Sequence, residues 1–204
     1  MNDPASYTDF PQTISKEEVN HLPLIRYEGK IVLVSDDAAL RDAVQRLTGE
    51  SVLGFDTESR PAFRKGESYP PSLVQLAGQD CVYLFQLNRL TDLSPLWDIL
   101  GSADTLKVGV AIRDDIRKLQ EIRPLQESGF VEISDITRRH EITNTGLRSL
   151  CAIFLGHRIS KGSQVSNWAR RELTHSQVVY AATDAWASLE IYRRLCERGL
   201  NGES

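Results

Sequence analysis

The sequence predicts a single α/β domain in which helices cover a mixed β-sheet. Two short apolar segments at 73–77 and 81–86 are separated by only three residues, which is typical of an antiparallel hairpin. Strand and helix patterns then alternate from about residue 92 to residue 134, which favours a sheet covered by helices. With 204 residues, 41% of them hydrophobic, the chain is long enough for one buried core and short for two.

The first part of the chain, residues 1–28, is interpreted as an arm that precedes the domain at residues 29–200. Ser15 and Glu18 have the spacing of a capping box, which predicts one short helix in the arm. Three elements are predicted between the arm and the hairpin: a strand at 30–35, a helix at 36–49 and a mostly apolar strand at 51–57. Segment 59–72 is rich in proline, glycine and charge, so we expect an exposed loop there.

Four helices and two strands are predicted after the hairpin. They are, in order, a helix at 92–100, a strand at 106–110, a helix at 112–122, a strand at 130–134, a helix at 147–155 and a long helix from about residue 175. Gly156 and Gly199 follow the last two helices, as expected where helices end. Thr174 and Gln177 form a second capping-box pattern at the start of the final helix.

Composition is that of an ordinary intracellular protein, which we expect in the cytoplasm without a membrane segment. No apolar run approaches the roughly 18–20 residues that cross a bilayer. Residues 1–19 have neither the basic start nor the apolar block of a secretory signal. The three cysteines are widely spaced and form no CxxC pair, which disfavours a zinc site or a disulfide framework.

Acidic residues at core-facing positions are the candidate functional residues, because a buried carboxylate is costly unless it is paired or bound to a cation. Asp56 and Glu58 stand at the end of the strand at 51–57, and strand residues two apart project from the same side. By itself this pair is a weak signal, since a strand that ends in a polar loop gives the same pattern.

Asp115 is the next candidate. In the helix that begins near Ile112, Asp115 shares a face with Ile112 and Leu119, whereas Asp114 lies on the wetter side. An acid in the first turn of a helix is also explained by the helix dipole without any metal, so both interpretations stay open at this residue.

Tyr180 and Asp184 lie four residues apart on the final helix and therefore share one face. The buried side of this helix is predicted to carry Val178, Ala182, Ala185, Leu189 and Tyr192. Its solvent side is predicted to carry Thr183, Glu190, Arg193, Arg194 and Glu197. Asp184 thus points toward the packed half, where a simple hydrogen bond to Tyr180 is the alternative to a catalytic role.

Four inward-facing acids in one small domain predict a cation site. Like charges brought together raise one another's pKa and oppose folding unless cations neutralise them. Ligand sets made only of oxygen favour hard cations such as Mg²⁺ or Mn²⁺.

At these residues the chain resembles the DEDD superfamily of 3′–5′ exonucleases, which have a ribonuclease H-like fold. Three motifs appear in order, namely GFDTE followed by SLVQLA, then KVGVAIRDDIRKL, then YAATDAWASLEIY. Tyr180 occupies the position that defines the Tyr branch (DEDDy) of this superfamily. The resemblance runs from about Lys30 to Leu195 and is greatest to the group that includes the exonuclease domain of the Werner syndrome protein and, more loosely, ribonuclease D.

The resemblance implies an enzyme that hydrolyses the last phosphodiester at the 3′ end of a DNA or RNA strand and releases a nucleoside 5′-monophosphate. It implies two divalent cations, Mg²⁺ or Mn²⁺, bound by Asp56, Glu58, Asp115 and Asp184, with Tyr180 orienting the attacking water. It points to no obligate protein partner. The helical nucleic-acid-binding domains that follow the catalytic domain in ribonuclease D have no counterpart in this sequence, so a stand-alone catalytic domain is expected.

A catalytically weak or inactive nucleic-acid-binding domain on the same fold is the alternative function, and the intact acid set argues against it. The formal net charge of −4 argues against tight non-specific binding to nucleic acid, but not against catalysis at a strand end. Basic residues available to a strand are Arg64, Lys65, Arg138, Arg139, Lys161, Arg170 and Arg171, although a solvated surface charge is the simpler interpretation of each. Phe63 and Trp168 are candidates for stacking on bases, with packing as the simpler role.

Overall fold

The computed structural model describes residues 10–64 and 66–201 and contains one six-stranded mixed sheet. Its strands are β1 (Lys30–Val34), β2 (Val52–Ser59), β3 (Pro71–Ala77), β4 (Cys81–Gln86), β5 (Leu106–Gly109) and β6 (Phe130–Glu132). Their spatial order is β1-β4-β3-β2-β5-β6. The β2/β3 and β3/β4 pairs are antiparallel and the other pairs are parallel, so the predicted hairpin and the predicted mixed sheet are confirmed.

Seven α-helices are formed by the described residues. They are α1 (Lys16–His21), α2 (Asp37–Leu47), α3 (Ser94–Gly101), α4 (Arg113–Ile122), α5 (Ile133–Arg139), α6 (Leu147–Leu155) and α7 (His175–Glu197). Both predicted capping boxes are present, at Ser15 with Glu18 and at Thr174 with Gln177. In the part of the chain that the structure covers, no helix has the length and apolar character needed to cross a bilayer.

Helices cover both faces of the sheet, as the fold class requires. Helices α2, α3 and α4 contribute to the apolar cluster on one face, and α5, α6 and α7 contribute to the cluster on the other. Strand β3 shows the alternation that separates them, because Leu73 and Ala77 belong to the α7 side whereas Val74 and Leu76 belong to the α2 side. Both faces of this strand are therefore buried.

Helix α7 approaches strand β2 most closely at Gly54. A Cβ atom at this position would lie 2.0 Å from the carbonyl oxygen of Ala185 and 2.9 Å from Cβ of Leu189. Only a residue without a side chain permits this approach. Because Asp56 is two residues from Gly54 and Asp184 directly precedes Ala185, the contact sets how close these two acids come.

The turn between β5 and α4 is held by the carboxylate of Glu132. Ala111 has a φ of 62°, in the left-handed region that residues with a side chain rarely adopt. The Glu132 carboxylate accepts hydrogen bonds from the N–H groups of Ala111 (2.9 Å) and Ile112 (2.8 Å). These bonds stabilise the unusual turn and fix the start of α4, which carries Asp115.

The arm packs on the α6 and α7 side of the domain over its described residues, 10–28. The Phe10 and Phe154 ring centroids lie 4.5 Å apart, and Val19 of α1 is buried. Further along, the N–H of Ile25 donates to the carbonyl oxygen of Arg158 at 2.9 Å. The arm thus forms part of the surface around α6.

Two details of the sequence prediction are wrong. The strand predicted at 130–134 ends at Glu132, where α5 begins; this helix was missed because the apolar Ile133 continues the strand pattern. Thr183, predicted on the solvent side of α7, is only 4% exposed. Its Oγ1 accepts a hydrogen bond from the Tyr27 N–H at 3.0 Å. The arm thus covers a side of the helix that local periodicity predicts to be exposed to solvent.

We predict that Gly54→Ala destabilises the protein and separates the two acids. The added methyl group would overlap the Ala185 carbonyl, so α7 must shift, and we expect the free energy of unfolding to fall by about 2–3 kcal/mol. Urea denaturation measures this change. Gly101→Ala is the matched control, because its Cβ would meet nothing nearer than 3.7 Å; equal stability of the two variants would contradict the close contact.

Candidate active site

Three carboxylates meet where the end of β2 faces the middle of α7. Asp56, Glu58 and Asp184 each present an oxygen atom, and these three atoms lie within 4.8 Å of one another. Asp184 is buried, whereas Asp56 and Glu58 are half-buried. The structure therefore brings together three of the four acids that the sequence singled out, two from one strand face and one from a helix.

Burial raises the pKa of each of these carboxyl groups. The pKa of Asp56 is raised well above its ordinary value by burial and then by the charges of Asp184 and Asp115. Burial, followed by the neighbouring acids, raises the pKa of Glu58 to about 10. Burial raises the pKa of Asp184 to about 7, against the lowering effect of a hydrogen bond from Tyr180. A cluster of this kind opposes folding when it is ionised, unless a cation neutralises it.

Asp115 lies beside this cluster rather than within it. Its Oδ1 accepts a hydrogen bond from Oγ1 of Thr57, the residue between Asp56 and Glu58, at 2.6 Å. Burial raises the pKa of Asp115, and the Thr57 hydrogen bond lowers it. The exposed Asp114 instead pairs with Arg117 at 3.1 Å, which confirms that Asp115 is the inward residue of the two. Its role as a metal ligand stays a prediction.

Tyr180 is held between a buried aromatic ring and the acid cluster. Its ring centroid lies 6.0 Å from that of Trp168, and its hydroxyl is hydrogen-bonded to Asp184. Burial, and then the charges of Asp184 and Glu58, raise the pKa of the Tyr180 hydroxyl, so it stays protonated. Trp168 is 1% exposed and has a packing role, whereas Phe63 is 82% exposed and does not pack in the core.

The acids open onto a cleft of about 670 Å³. The arm, α6 and the loop after α6 contribute polar and basic side chains to its lining, namely Lys16, Asn20, Arg148, Ser149, Lys161 and Gln164. Of the basic residues predicted from the sequence and described by the structure, Lys161 lines this cleft; Lys65 lies outside the described residues. Lys16 and Arg148 were missed because nothing local in the sequence shows that the arm docks here.

A buried amide lies next to the cluster. Gln75 is opposite Asp56 in the antiparallel β2/β3 pair, so the two side chains project from the same face. Gln75 is fully buried, and neither polar atom of its amide has a hydrogen-bond partner among the described residues. Such groups are normally satisfied by water or an ion. Together with an acid set whose ligand atoms are all oxygen, the orphaned amide fits a site for hydrated divalent cations.

Known proteins that resemble this chain are nucleases by name. The sequence profile of the 3′–5′ exonuclease family matches residues 31–199. The mouse bifunctional 3′-5′ exonuclease/ATP-dependent helicase WRN is 32% identical over 190 residues, which cover 88% of this chain and 14% of that protein. Ribonuclease D of Haemophilus influenzae is 30% identical over 167 residues, covering 80% and 41%. The chain thus spans less than half the length of these relatives.

Solved structures show the same fold. The Nibbler EXO domain of Aedes aegypti superposes with a TM-score of 0.77 at 27% identity, over 86% of this chain and 91% of that one. Escherichia coli RNase D superposes with a TM-score of 0.73 at 23% identity, over 83% and 45%. The second likeness supports the ribonuclease H-like architecture alone.

We predict that divalent cations stabilise the folded protein. Neutralising the acid cluster favours the native state, and a ligand at 100 times its dissociation constant adds about 2.7 kcal/mol. In millimolar Mn²⁺ or Mg²⁺ the Tm should therefore be several degrees higher than in EDTA. Asp184→Asn should raise the Tm in EDTA, because it removes a buried negative charge, and should reduce the gain produced by the cation.

Asp114→Asn is the matched control for this measurement, since Asp114 is exposed and paired with Arg117. It should show the full gain of the unsubstituted protein. A Tm of the unsubstituted protein that does not respond to either cation would contradict a metal site at these acids.

Proposed function

The chain belongs to the 3′–5′ exonuclease family, and from that premise we propose that it hydrolyses the terminal phosphodiester at the 3′ end of a nucleic acid strand. The product is a nucleoside 5′-monophosphate. The observation that carries the proposal is the group of Asp56, Glu58 and Asp184 within 4.8 Å, open to a cleft and next to Tyr180. An inactive binding domain would have no use for so costly a cluster.

Two divalent cations, Mg²⁺ or Mn²⁺, are proposed as cofactors. Asp56, Glu58 and Asp184 would hold one of them, and Asp56 would hold the second with indirect help from Asp115, in keeping with the position of Asp115 outside the three-residue group. When bound, such cations lower the pKa of the attacking water and neutralise charge on the leaving 3′ oxygen.

Tyr180 is proposed to orient the attacking water. Its hydroxyl stays protonated and is hydrogen-bonded to Asp184, which leaves lone pairs on the phenol oxygen to accept a hydrogen bond from water. Packing of its ring near Trp168 limits the positions the hydroxyl can reach. This role is the one expected of the Tyr branch (DEDDy), in which we place the chain.

The proposed substrate is either a DNA or an RNA strand. Digestion of matched DNA and RNA oligonucleotides with Mg²⁺ or Mn²⁺ measures which of the two is preferred. We further propose that residues 29–200 are the catalytic domain and that the enzyme works in the cytoplasm without an obligate protein partner. All five proposed site residues lie within residues 29–200, which supports the domain bounds, and the absence of a disulfide pattern in the sequence supports the cytoplasmic location.

We predict that Asp56→Asn lowers the rate of nucleotide release from a 3′-labelled single strand by at least about 1000-fold, because a ligand shared by both cations loses its charge. Tyr180→Phe should lower kcat by about 100-fold, within the usual contribution of a group that positions a proton-transferring water. EDTA should abolish release by the unsubstituted protein.

Asp114→Asn is the control variant and should retain full activity, since its carboxylate faces solvent one residue from Asp115. Activity of Asp56→Asn equal to that of the unsubstituted protein, or release that continues in EDTA, would rule out this mechanism.

A further inference from the structure

The cleft that holds the acid cluster also collects basic side chains from two distant parts of the chain. Lys16 comes from α1 of the arm, and Arg148 comes from the first turn of α6. Asn20, one helical turn from Lys16, lines the same cleft. The arm docks on α6, and this contact brings side chains of both elements into the cleft that contains the acids.

Arg148 has donors that the protein leaves unused. Its Nη2 donates to Oδ1 of Asn20 at 2.7 Å, which holds the guanidinium in place. Its Nε is buried and has no acceptor among the residues that the structure describes. A guanidinium carries five N–H groups arranged to match the oxygens of a phosphate or carboxylate. A half-buried guanidinium that is held by a neighbour, yet has a buried Nε without an acceptor, indicates an acidic ligand.

The basic side chains of this region form no ion pairs among the described residues. Within residues 10–64 and 66–201, neither Arg148 nor Lys16 forms an ion pair with a carboxylate, whereas eight other ion pairs occur elsewhere. Lys161 also lines the cleft without an ion pair in that part of the chain. Phosphates of a nucleic acid strand would supply the missing negative charge.

The first turn of α6 adds positive electrostatic potential to the same cleft. Gly146 is its N-cap and makes no side-chain capping bond, and Gly146 and Leu147 line the cleft together with Arg148. The positive end of a helix dipole therefore faces the space that Arg148 borders. Because Arg148 forms no ion pair with the acids among the described residues, its guanidinium remains available to a phosphate of a strand in this cleft.

We propose that Arg148 and Lys16 form a subsite for an internal phosphodiester of the substrate strand, adjacent to the bond that is cleaved. The inference rests on the proposed exonuclease activity and makes the arm part of the substrate-binding surface. Asn20 is a positioning residue that holds the Arg148 guanidinium. Substrates with more than one phosphate gain from the subsite, whereas a mononucleotide ester has no group that reaches it.

The test compares two substrates on the same variants. One is a 10-nucleotide single strand, and the other is the p-nitrophenyl ester of thymidine 5′-monophosphate, which has a single phosphodiester. Arg148→Met should lower the ratio of kcat/KM for the strand to kcat/KM for the ester about 10-fold, and Lys16→Met about 3-fold. For the strand, the slope of log kcat/KM against log salt should become less negative by about 0.7 for each phosphate that the variant no longer binds.

Two further variants separate charge from packing. Arg148→Lys keeps the charge and should recover part of the ratio. Arg46→Met is the matched control, since Arg46 is exposed on α2, on the opposite face of the sheet, and should leave the ratio unchanged. Fluorescence anisotropy of a labelled strand in EDTA, where no hydrolysis takes place, should show weaker binding by Arg148→Met of about 10-fold.

The failure of this proposal is distinct from failure of the proposed function. If Arg148→Met and Lys16→Met lower both activities equally together with the Tm, Arg148 has a structural role and the subsite is overturned. If they lower neither activity, the two residues do not bind the strand and the subsite is likewise overturned. If the unsubstituted protein hydrolyses neither substrate, the exonuclease proposal fails. In that case unaltered strand binding by Arg148→Met in EDTA overturns the subsite as well.

Discussion

The contact between Gly54 of β2 and the Ala185 carbonyl of α7 is the constraint on which the acid cluster depends. It brings a helix backbone against a strand backbone and so forces Asp184 toward Asp56 and Glu58. The repulsion and burial of these acids oppose folding by several kcal/mol. Helix α7 also buries apolar side chains such as Leu189, Ile191 and Leu195, each worth about 1.5–3 kcal/mol. Packing of the same helix therefore offsets the electrostatic cost that it creates.

A second set of hydrogen bonds holds Asp115, the fourth acid. Glu132 fixes the turn around Ala111, and the Thr57 hydroxyl fixes the carboxylate of Asp115. Both partners belong to strands of the sheet, so the position of Asp115 follows from strand order and not from α4 alone. Lys107 supports the same region, because its buried ammonium donates to the carbonyl oxygens of Thr105 and Ser128 and so ties β5 to the loop before β6.

Sequence reasoning succeeded where the signal was local and failed where it depended on distant chain segments. The capping pair Thr174 and Gln177 and the spacing of Tyr180 and Asp184 act within one helix, so the start of α7 and its site face were predictable. Thr183 was assigned to the wrong side because only docking of Tyr27, 156 residues earlier, covers it. The proximity of Lys16, Asn20 and Arg148 was not visible for the same reason, since α1 and α6 meet only in the folded chain.

The distribution of charge reconciles a net charge of −4 with the proposed polyanionic substrate. The acids that repel a phosphate are gathered in one cluster, where bound cations would neutralise their charge. Lys16, Arg148 and Lys161 line the same cleft without ion pairs among the described residues. Local potential in a cleft, more than the total charge, governs the approach of a charged ligand. With this arrangement an acidic protein would attract a strand at the cleft, which suits the proposed enzyme because it must release a shortened strand after hydrolysis.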